Sequence, residues 1–223
     1  MFSASPNVNL QAATISQMIK GSIPRKTVYR LSLYDRALQR LRANRIETVS
    51  SAALAKASGV KSTQLRKDLA YFGHFGTRGL GYAVEGLSRK LGEVLGTACL
   101  QPVILVGVGQ LGSALLGYVG FARQGFEVVA AFDAEPLRSR PREHAVKIYP
   151  MEEIEAFVHE RGIKIAILTL PGTVAQEVAN ELVACGIQAM LNFAPAVLQV
   201  PEHVVVNNVD LAAELENLSY FIH

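Results

Sequence analysis

From Thr27 the apolar positions Val28, Leu31, Leu38 and Leu41, with Tyr34 between them, recur at helical spacing, and Pro24 suits the first turn of that helix. In "ETVSSAALAKASGV" a Ser at 50 or 51 can cap a short helix reaching Ala57, and Gly59 can take the left-handed turn that stops it. "KSTQLRKDLAYFG" follows, with Ser62 as the expected N-cap and Leu65, Leu69 and Phe72 as an apolar stripe. Two short helices joined by a Gly-containing turn form the helix-turn-helix pattern. "GHFGTRGLGY", Gly73 to Tyr82, holds four glycines in ten residues, a density that suits a tight hairpin. A hairpin there makes the unit a winged helix. Val84 to Leu95 reads as another helix, and Gly96 to Pro102 as a linker.

After Pro102 the pattern changes to short apolar runs alternating with helical periods. "VILVG", "EVVAAFD", "IKIAILTLP" and "IQAMLNFAP" read as strands, and "HVVVNNVD" as a last one. Leu111 to Gln124, Met151 to Glu160 and Thr173 to Ala184 read as helices. Leu211 to Phe221 closes the chain as an amphipathic helix with Leu211, Leu215 and Leu218 on one side. Strands alternating with helices predict an α/β fold with a parallel, doubly wound Rossmann-type sheet. Residues 1–20 are rich in Ser, Asn, Gln and Ala with no steady period, as in a loose arm. The expected organisation is an arm over 1–22, a winged-helix domain over 23–98, a Rossmann-type domain over 99–207 and a C-terminal helix over 208–223.

Charge sharpens this division. The net charge of +3 conceals 15 Lys and Arg against 5 Asp and Glu over residues 1–98, and 7 against 14 over residues 99–223. A small domain of charge +10 sets up a field suited to a polyanion, whereas the second half is acidic. A solvated basic face is the plainer alternative. No stretch resembles a secretory h-region, and no apolar run reaches the roughly 18 residues of a membrane span. The two cysteines, Cys99 and Cys185, form no CxxC or Cys/His cluster, so neither a metal site nor a disulfide scaffold is expected, and a reducing cytoplasm is the default location. His74, His144, His159, His203 and His223 are scattered without metal-ligand spacing, and there is no Tyr-x3-Lys pair. No catalytic constellation is expected.

The chemistry-bearing segment of the second half is Gly107-Val108-Gly109-Gln110-Leu111-Gly112, a GxGxxG sequence between a predicted strand and a predicted helix. Gly107 allows the tight turn, Gly109 leaves the backbone open to a pyrophosphate, and Gly112 lets helix and strand approach. Asp133 lies 21 residues beyond Gly112, where a carboxylate can hold the adenosine ribose hydroxyls. That charge favours NAD over NADP, although Arg138, Arg140 and Arg142 soften the discrimination. The alternative is a structural glycine turn in a fold that binds something else. Thr169, Leu170 and Pro171 end one predicted strand, and Asn192, Phe193 and Ala194 another. Ligands of open α/β sheets sit beyond such strand ends, so both segments are expected to face the cofactor. In the basic half, the second short helix carries Lys61, Ser62, Thr63, Gln64, Arg66 and Lys67. In a major groove Arg66 or Lys67 can donate to guanine, Gln64 can pair with adenine, and Ser62 and Thr63 can touch phosphate. Arg78 in the glycine-rich hairpin suits a minor groove.

"LRKDLAYFGHFGTRGLGY", "GVGQLG", "LNFAPAVLQVPE" and the ending "NNVDLAAELENLSYF", in this order, resemble the Rex family of redox-sensing transcriptional repressors, from Ile23 onward. The resemblance implies a homodimer that binds double-stranded operator DNA when NAD+ is high and releases it when NADH accumulates. It also implies C-terminal helices exchanged between subunits. By motif position it assigns Tyr118 in "ALLGYVGF" to the nicotinamide, Asp210 in "NVDLAAEL" to a carboxylate reaching across the dimer, and Arg36 in "RLSLYDRAL" to its partner. Leu211 stands where some relatives have an aromatic residue that meets the nicotinamide, and many relatives continue beyond "LSYF". Two other classes stay open on the residues alone. One is an NAD-dependent oxidoreductase with an appended N-terminal domain. The other is a plain regulator whose Rossmann domain binds another ligand or serves dimerisation.

Overall fold

The computed structural model of the chain describes residues 23–77, 79–136 and 146–222. The expected arm, together with Arg78, Arg138, Arg140, Arg142, His144 and His223, lies outside the described residues. The chain divides into two units, Met1–Ala98 and Cys99–His223.

The first unit starts at Pro24, whose extended backbone (φ −59°, ψ 136°) precedes α1, Arg25–Ala43. One face of α1 buries Leu31, Tyr34, Ala37 and Leu38. After β1 (Thr48–Val49), Ser50 caps α2 (Ser51–Ala57) by accepting the Ala53 N–H at 3.1 Å. Gly59 takes the left-handed backbone (φ +70°) that turns the chain toward α3, Ser62–Ala70. Here the expectation of a Ser62 cap fails. Lys61 is the last extended residue (φ −79°, ψ 144°), Ser62 already belongs to the helix, and no side chain closes the first turn. Strands β2 (Gly76–Thr77) and β3 (Gly81–Ala83) form the wing hairpin, and β1 joins it in the antiparallel order β1-β3-β2. Strand β1 leaves no mark in the hydrophobic pattern, since two residues are too few to show a period of two. Helix α4 (Val84–Leu95) ends at the left-handed Gly96. Leu31, Tyr34, Leu38, Leu54, Leu65 and Leu91 are fully buried together, each worth about 2 kcal/mol of removed apolar surface.

The second unit opens with β4 (Gln101–Val106), followed by α5 (Gln110–Leu116), α6 (Gly120–Arg123), β5 (Phe126–Asp133) and β6 (Ile148–Pro150). A 3-10 turn, Met151–Glu153, leads into α7 (Ile154–Arg161). Then come β7 (Ile165–Leu168), α8 (Gly172–Ala184), β8 (Ala189–Asn192), β9 (Val205–Asn208) and α9 (Leu211–Tyr220). All pairings are parallel, in the order β6-β5-β4-β7-β8-β9. The order reverses between β4 and β7, which creates a crevice at their carboxyl ends. Along β4, Val103 and Leu105 enter one apolar cluster while Ile104 and Val106 enter the other. Burial on both faces explains why the strand reads as an unbroken apolar run.

The continuous helix expected from Leu111 to Gln124 is instead two short helices. Gly117-Tyr118-Val119 interrupts it, a stretch poor in helix formers. The Tyr118 N–H bonds the Leu115 carbonyl in a tightened last turn, and the Tyr118 ring covers Gly120, filling the space a Cβ would occupy there. Helix α9 has no buried residue, and Leu215, Leu218, Tyr220 and Phe221 are 65–79% exposed.

Two wing glycines share φ +87° yet differ in surroundings. A Cβ on Gly79 would meet open space, whereas one on Gly81 would run into the Val49 carbonyl of β1. Gly79→Ala should therefore cost only the left-handed penalty of about 1 kcal/mol, and Gly81→Ala clearly more, as read from urea denaturation.

Candidate functional site

The crevice of the second unit is built around three glycines with different reasons to be glycine. Gly107 (φ +93°) turns the chain off β4, and a Cβ there would lie 2.7 Å from the Thr169 carbonyl and 2.9 Å from Leu170 Cδ2. A Cβ on Gly112 would collide with the Gly107 carbonyl oxygen and come within 2.8 Å of Thr169 Oγ1. Gly109, the N-cap of α5, has no protein atom within 4 Å of such a Cβ. Protein packing thus requires glycine at 107 and 112 but not at 109. The bare backbone at Gly109 faces open space at a helix start, the arrangement that admits a pyrophosphate.

The loop is stitched to its neighbours by polar contacts. Thr169 Oγ1 donates to the Gly107 carbonyl at 2.5 Å, and the Thr169 N–H donates to the Val106 carbonyl at 2.9 Å. Asp133, at the end of β5, accepts the Val108 N–H at 2.6 Å through one oxygen and the Glu135 N–H at 2.8 Å through the other. Both oxygens keep a lone pair for further donors. Gln110 and Leu111 are exposed at the helix start, Leu170 is half-buried, and Pro171 is the exposed N-cap of α8.

Next to the fingerprint, a cavity of about 500 Å³ is lined by Leu111, Phe193, Ala194, Pro195, Val209, Asp210 and Leu211. Phe193 and Ala194 reach it directly. Asn192 is fully buried, and its amide is spent on the loop itself. The nitrogen donates to the Ala196 carbonyl and to Asn208 Oδ1, each at 2.9 Å, and the oxygen accepts the Ala194 N–H at 3.0 Å. These bonds shape the loop that carries Phe193 and Ala194. Tyr118 is 57% exposed and packs edge-on against Phe121. Asp210 is the N-cap of α9, accepting the Ala212 and Ala213 N–H groups at 2.9 and 3.1 Å.

In the first unit, Lys61, Thr63, Arg66 and Lys67 stand exposed on α3, Ser62 and Gln64 are half-buried, and Arg36 is exposed on α1. Arg66 Nη1 reaches Ser51 Oγ at 3.4 Å, a weak tie between α3 and α2. Behind this surface lies a network that motif reasoning missed. Asp68 is fully buried and accepts Arg30 Nε at 2.6 Å, Arg30 Nη2 and Tyr34 Oη at 2.7 Å, and Gln64 Nε2 at 2.8 Å. Burial by itself would raise the Asp68 carboxyl, but hydrogen bonds from Arg30, Tyr34 and Gln64, with the Arg30 charge, hold it below the usual carboxylate value. Tyr34 is pushed up, first by burial and then by the carboxylate beside it. Thr27, Arg30 and Tyr34 recur on one face of α1, a polar stripe within an otherwise apolar period. That spacing was the available signal.

Among the described residues, no group of three or more His, Cys, Asp or Glu side chains could hold a metal, and no helix is long and apolar enough to cross a membrane.

A helix-turn-helix unit joined to a dinucleotide-type crevice defines the class of ligand-responsive transcription regulators. Comparison with known proteins narrows the class. Residues 22–70 match the family model described as "Putative DNA-binding protein N-terminus", and residues 100–196 the model described as "CoA binding domain". The chain is 44% identical over 198 residues to the redox-sensing transcriptional repressor Rex of Pelotomaculum thermopropionicum, covering 89% of this chain and 93% of that protein. It is 45% identical to the Rex of Streptomyces coelicolor, covering 89% and 77%. Among solved structures, RSP in complex with β-NAD+ and operator DNA matches with a TM-score of 0.83 and 36% identity, over 90% of this chain and 92% of that one. RSP in complex with β-NADH matches at 0.78 and 34%, over 90% and 94%. The chain belongs to the Rex family of redox-sensing transcriptional repressors.

Two outcomes follow from these sites. Gly109→Ala should leave unfolding free energy within about 0.5 kcal/mol of wild type while weakening binding of a dinucleotide in calorimetric titration; Gly112→Ala should lower stability itself. Asp68→Ala should cost about 3 kcal/mol at neutral pH, the low end for a broken buried pair because Arg30 is 21% exposed. Because the folded carboxyl titrates below its ordinary value, its contribution is present above about pH 3.9 and disappears as pH falls further. The stability difference between wild type and variant in urea denaturation should therefore shrink as pH falls below that value.

Proposed function

We propose that this protein is a dimeric repressor that grips operator DNA through its helix-turn-helix units and lets go when NADH replaces NAD+. The reading rests above all on one observation: about 90% of the chain, both units included, aligns with RSP, whose solved forms include NAD+ with operator DNA and NADH. The bare Gly109 and the ribose-competent Asp133 suit a pyrophosphate-linked adenosine cofactor, and the NAD+ and NADH of the matching RSP structures favour NAD(H) over the coenzyme A of the matching family description.

The cofactor acts as a bound signal and is not turned over. When bound, it supplies a planar cationic ring in one redox state and a neutral ring in the other. Gly107, Gly109, Gly112 and Asp133 hold the shared part of the molecule and are indifferent to that change. Discrimination falls to the cavity beside the fingerprint, where Leu111, Phe193, Ala194 and Leu211 present an apolar wall, and to the exposed Tyr118 phenol, which motif position assigns to the nicotinamide. An apolar wall favours the neutral ring over the charged one. Thr169, Leu170 and Pro171, just beyond β7, form the floor beside the fingerprint glycines. Asp210, at the junction of this cavity and α9, carries the signal: it turns to Tyr118 when the ring is reduced and to Arg36 when DNA is held. The uncovered α9 supports an exchanged helix, since its exposed apolar side chains call for a second surface.

On the DNA side, Arg66 and Lys67 read the major groove, Lys61, Ser62 and Thr63 hold phosphate at the uncapped helix start, and Arg78 enters the minor groove. Two such heads must match half-sites a whole number of helical turns apart, so a modest change of subunit arrangement releases one of them. The site of action is the cytoplasm, where the DNA is.

An operator titration at fixed salt, with NAD+ and NADH varied separately, tests this. NADH should weaken DNA binding, and operator should weaken NADH binding by the same factor. Asp210→Ala should blunt the NADH response more than DNA binding, and Arg66→Ala the reverse. Equal grip on the duplex in both redox forms, or sustained NADH consumption with carbonyl substrates, would overturn the proposal.

A further inference from the structure

Gln64 sits in the first turn of α3, the part of a reading helix that reaches base edges. A glutamine there ordinarily reads adenine with both ends of its amide, the oxygen accepting from N6 and the nitrogen donating to N7. In this protein the nitrogen is already committed, because Gln64 Nε2 donates to Asp68 Oδ1 at 2.8 Å. Asp68 is fully buried, and its other partners, the Arg30 guanidinium, the Tyr34 hydroxyl and, at 3.4 Å, the Thr27 hydroxyl, are donors. An ionised carboxylate accepts only, so the amide end turned toward it must be NH2, and the carbonyl oxygen is the end left over. No donor among the described residues reaches Gln64 Oε1.

We infer that Asp68 is a positioning residue that fixes the Gln64 amide and makes Gln64 a one-sided hydrogen-bond acceptor in the major groove. It then selects a base whose exocyclic amine faces it, adenine N6 or cytosine N4, and makes no use of adenine N7. Swinging the nitrogen out to N7 would strip a donor from a buried charge, which is costlier than losing one exposed contact. Asp68 thereby does two jobs: with Arg30 it clamps α3 to α1, and with Gln64 it sets what α3 reads. This rests on the regulator reading above.

The experiment is selection of duplexes from a randomised pool by the wild-type dimer, followed by base-analogue substitution in the enriched site. Gln64→Met, which keeps the chain length and leaves Asp68 its Arg30 and Tyr34 donors, identifies the base pair whose preference depends on Gln64. That pair should carry adenine or cytosine facing the helix. Removing its exocyclic amine should lower wild-type affinity at least about fivefold, and replacing adenine by 7-deazaadenine should leave it unchanged. Asp68→Asn should relax preference at that same pair without altering the others. A 7-deaza penalty as large as the amine penalty, a guanine or thymine preference, or no Gln64-dependent pair would each overturn the inference. So would a loss spread evenly over all positions in Asp68→Asn, which marks a role in stability alone. Failure to enrich any sequence would instead remove the regulator reading itself.

Discussion

The close approach of β4 to the start of α5 is the constraint on which the second unit depends. The Gly107 carbonyl oxygen fills the space that a Cβ on Gly112 would need, and Thr169 Oγ1 donates to that same oxygen. No side chain fits there, so helix, strand and the β7 loop are held at backbone distance. That contact fixes the crevice where the strand order reverses, and it aims the first turn of α5 outward. Everything said of the nucleotide depends on this packing, because Gly109 can be bare only if its neighbours hold the loop without it. Asp133 reinforces the arrangement from the side through the Val108 amide.

The first unit uses a different device for the same purpose. Its recognition helix is short, nine residues, and no side chain caps its start. A helix of that length does not persist in water without tertiary support. Apolar anchoring comes from Leu65 and Leu69, and directional anchoring from the Arg30–Asp68 pair with Tyr34 and Gln64. A bidentate ion pair resists rotation of the helix about its own axis in a way that leucines alone do not. The exposed cations Lys61, Arg66 and Lys67 are therefore presented at a fixed azimuth.

The fold class was legible in the sequence because its signals are local. Period and punctuation mark β4, β5, β7 and β8, and the fingerprint glycines announce themselves by spacing. Legibility failed where local signals are weak or conflict with packing. Strand β1 is two residues long, and Leu111 to Gln124 has helical apolar spacing but contains the Gly117-to-Val119 break. At the sites, Gly107, Gly109, Gly112 and Asp133 could be read from their order along the chain. Asp68 could not be connected to Arg30 and Tyr34, which lie 38 and 34 residues away and meet it only in the folded unit. Gln64 and Asn192 are engaged nearer home, by Asp68 four residues on and by Ala196 four residues on, because side-chain direction within a turn is not visible in spacing alone.

Helix α9 spans ten residues and covers none of them against its own subunit. Below about twelve residues, an isolated helix in water is marginal. Under the proposed exchange its order is supplied by the partner subunit, so coiling of this segment and association of subunits become one event. On that reading scarcity of the protein erases the tail's structure as well as the pairing, and the amount of protein present becomes a second input to the proposed switch.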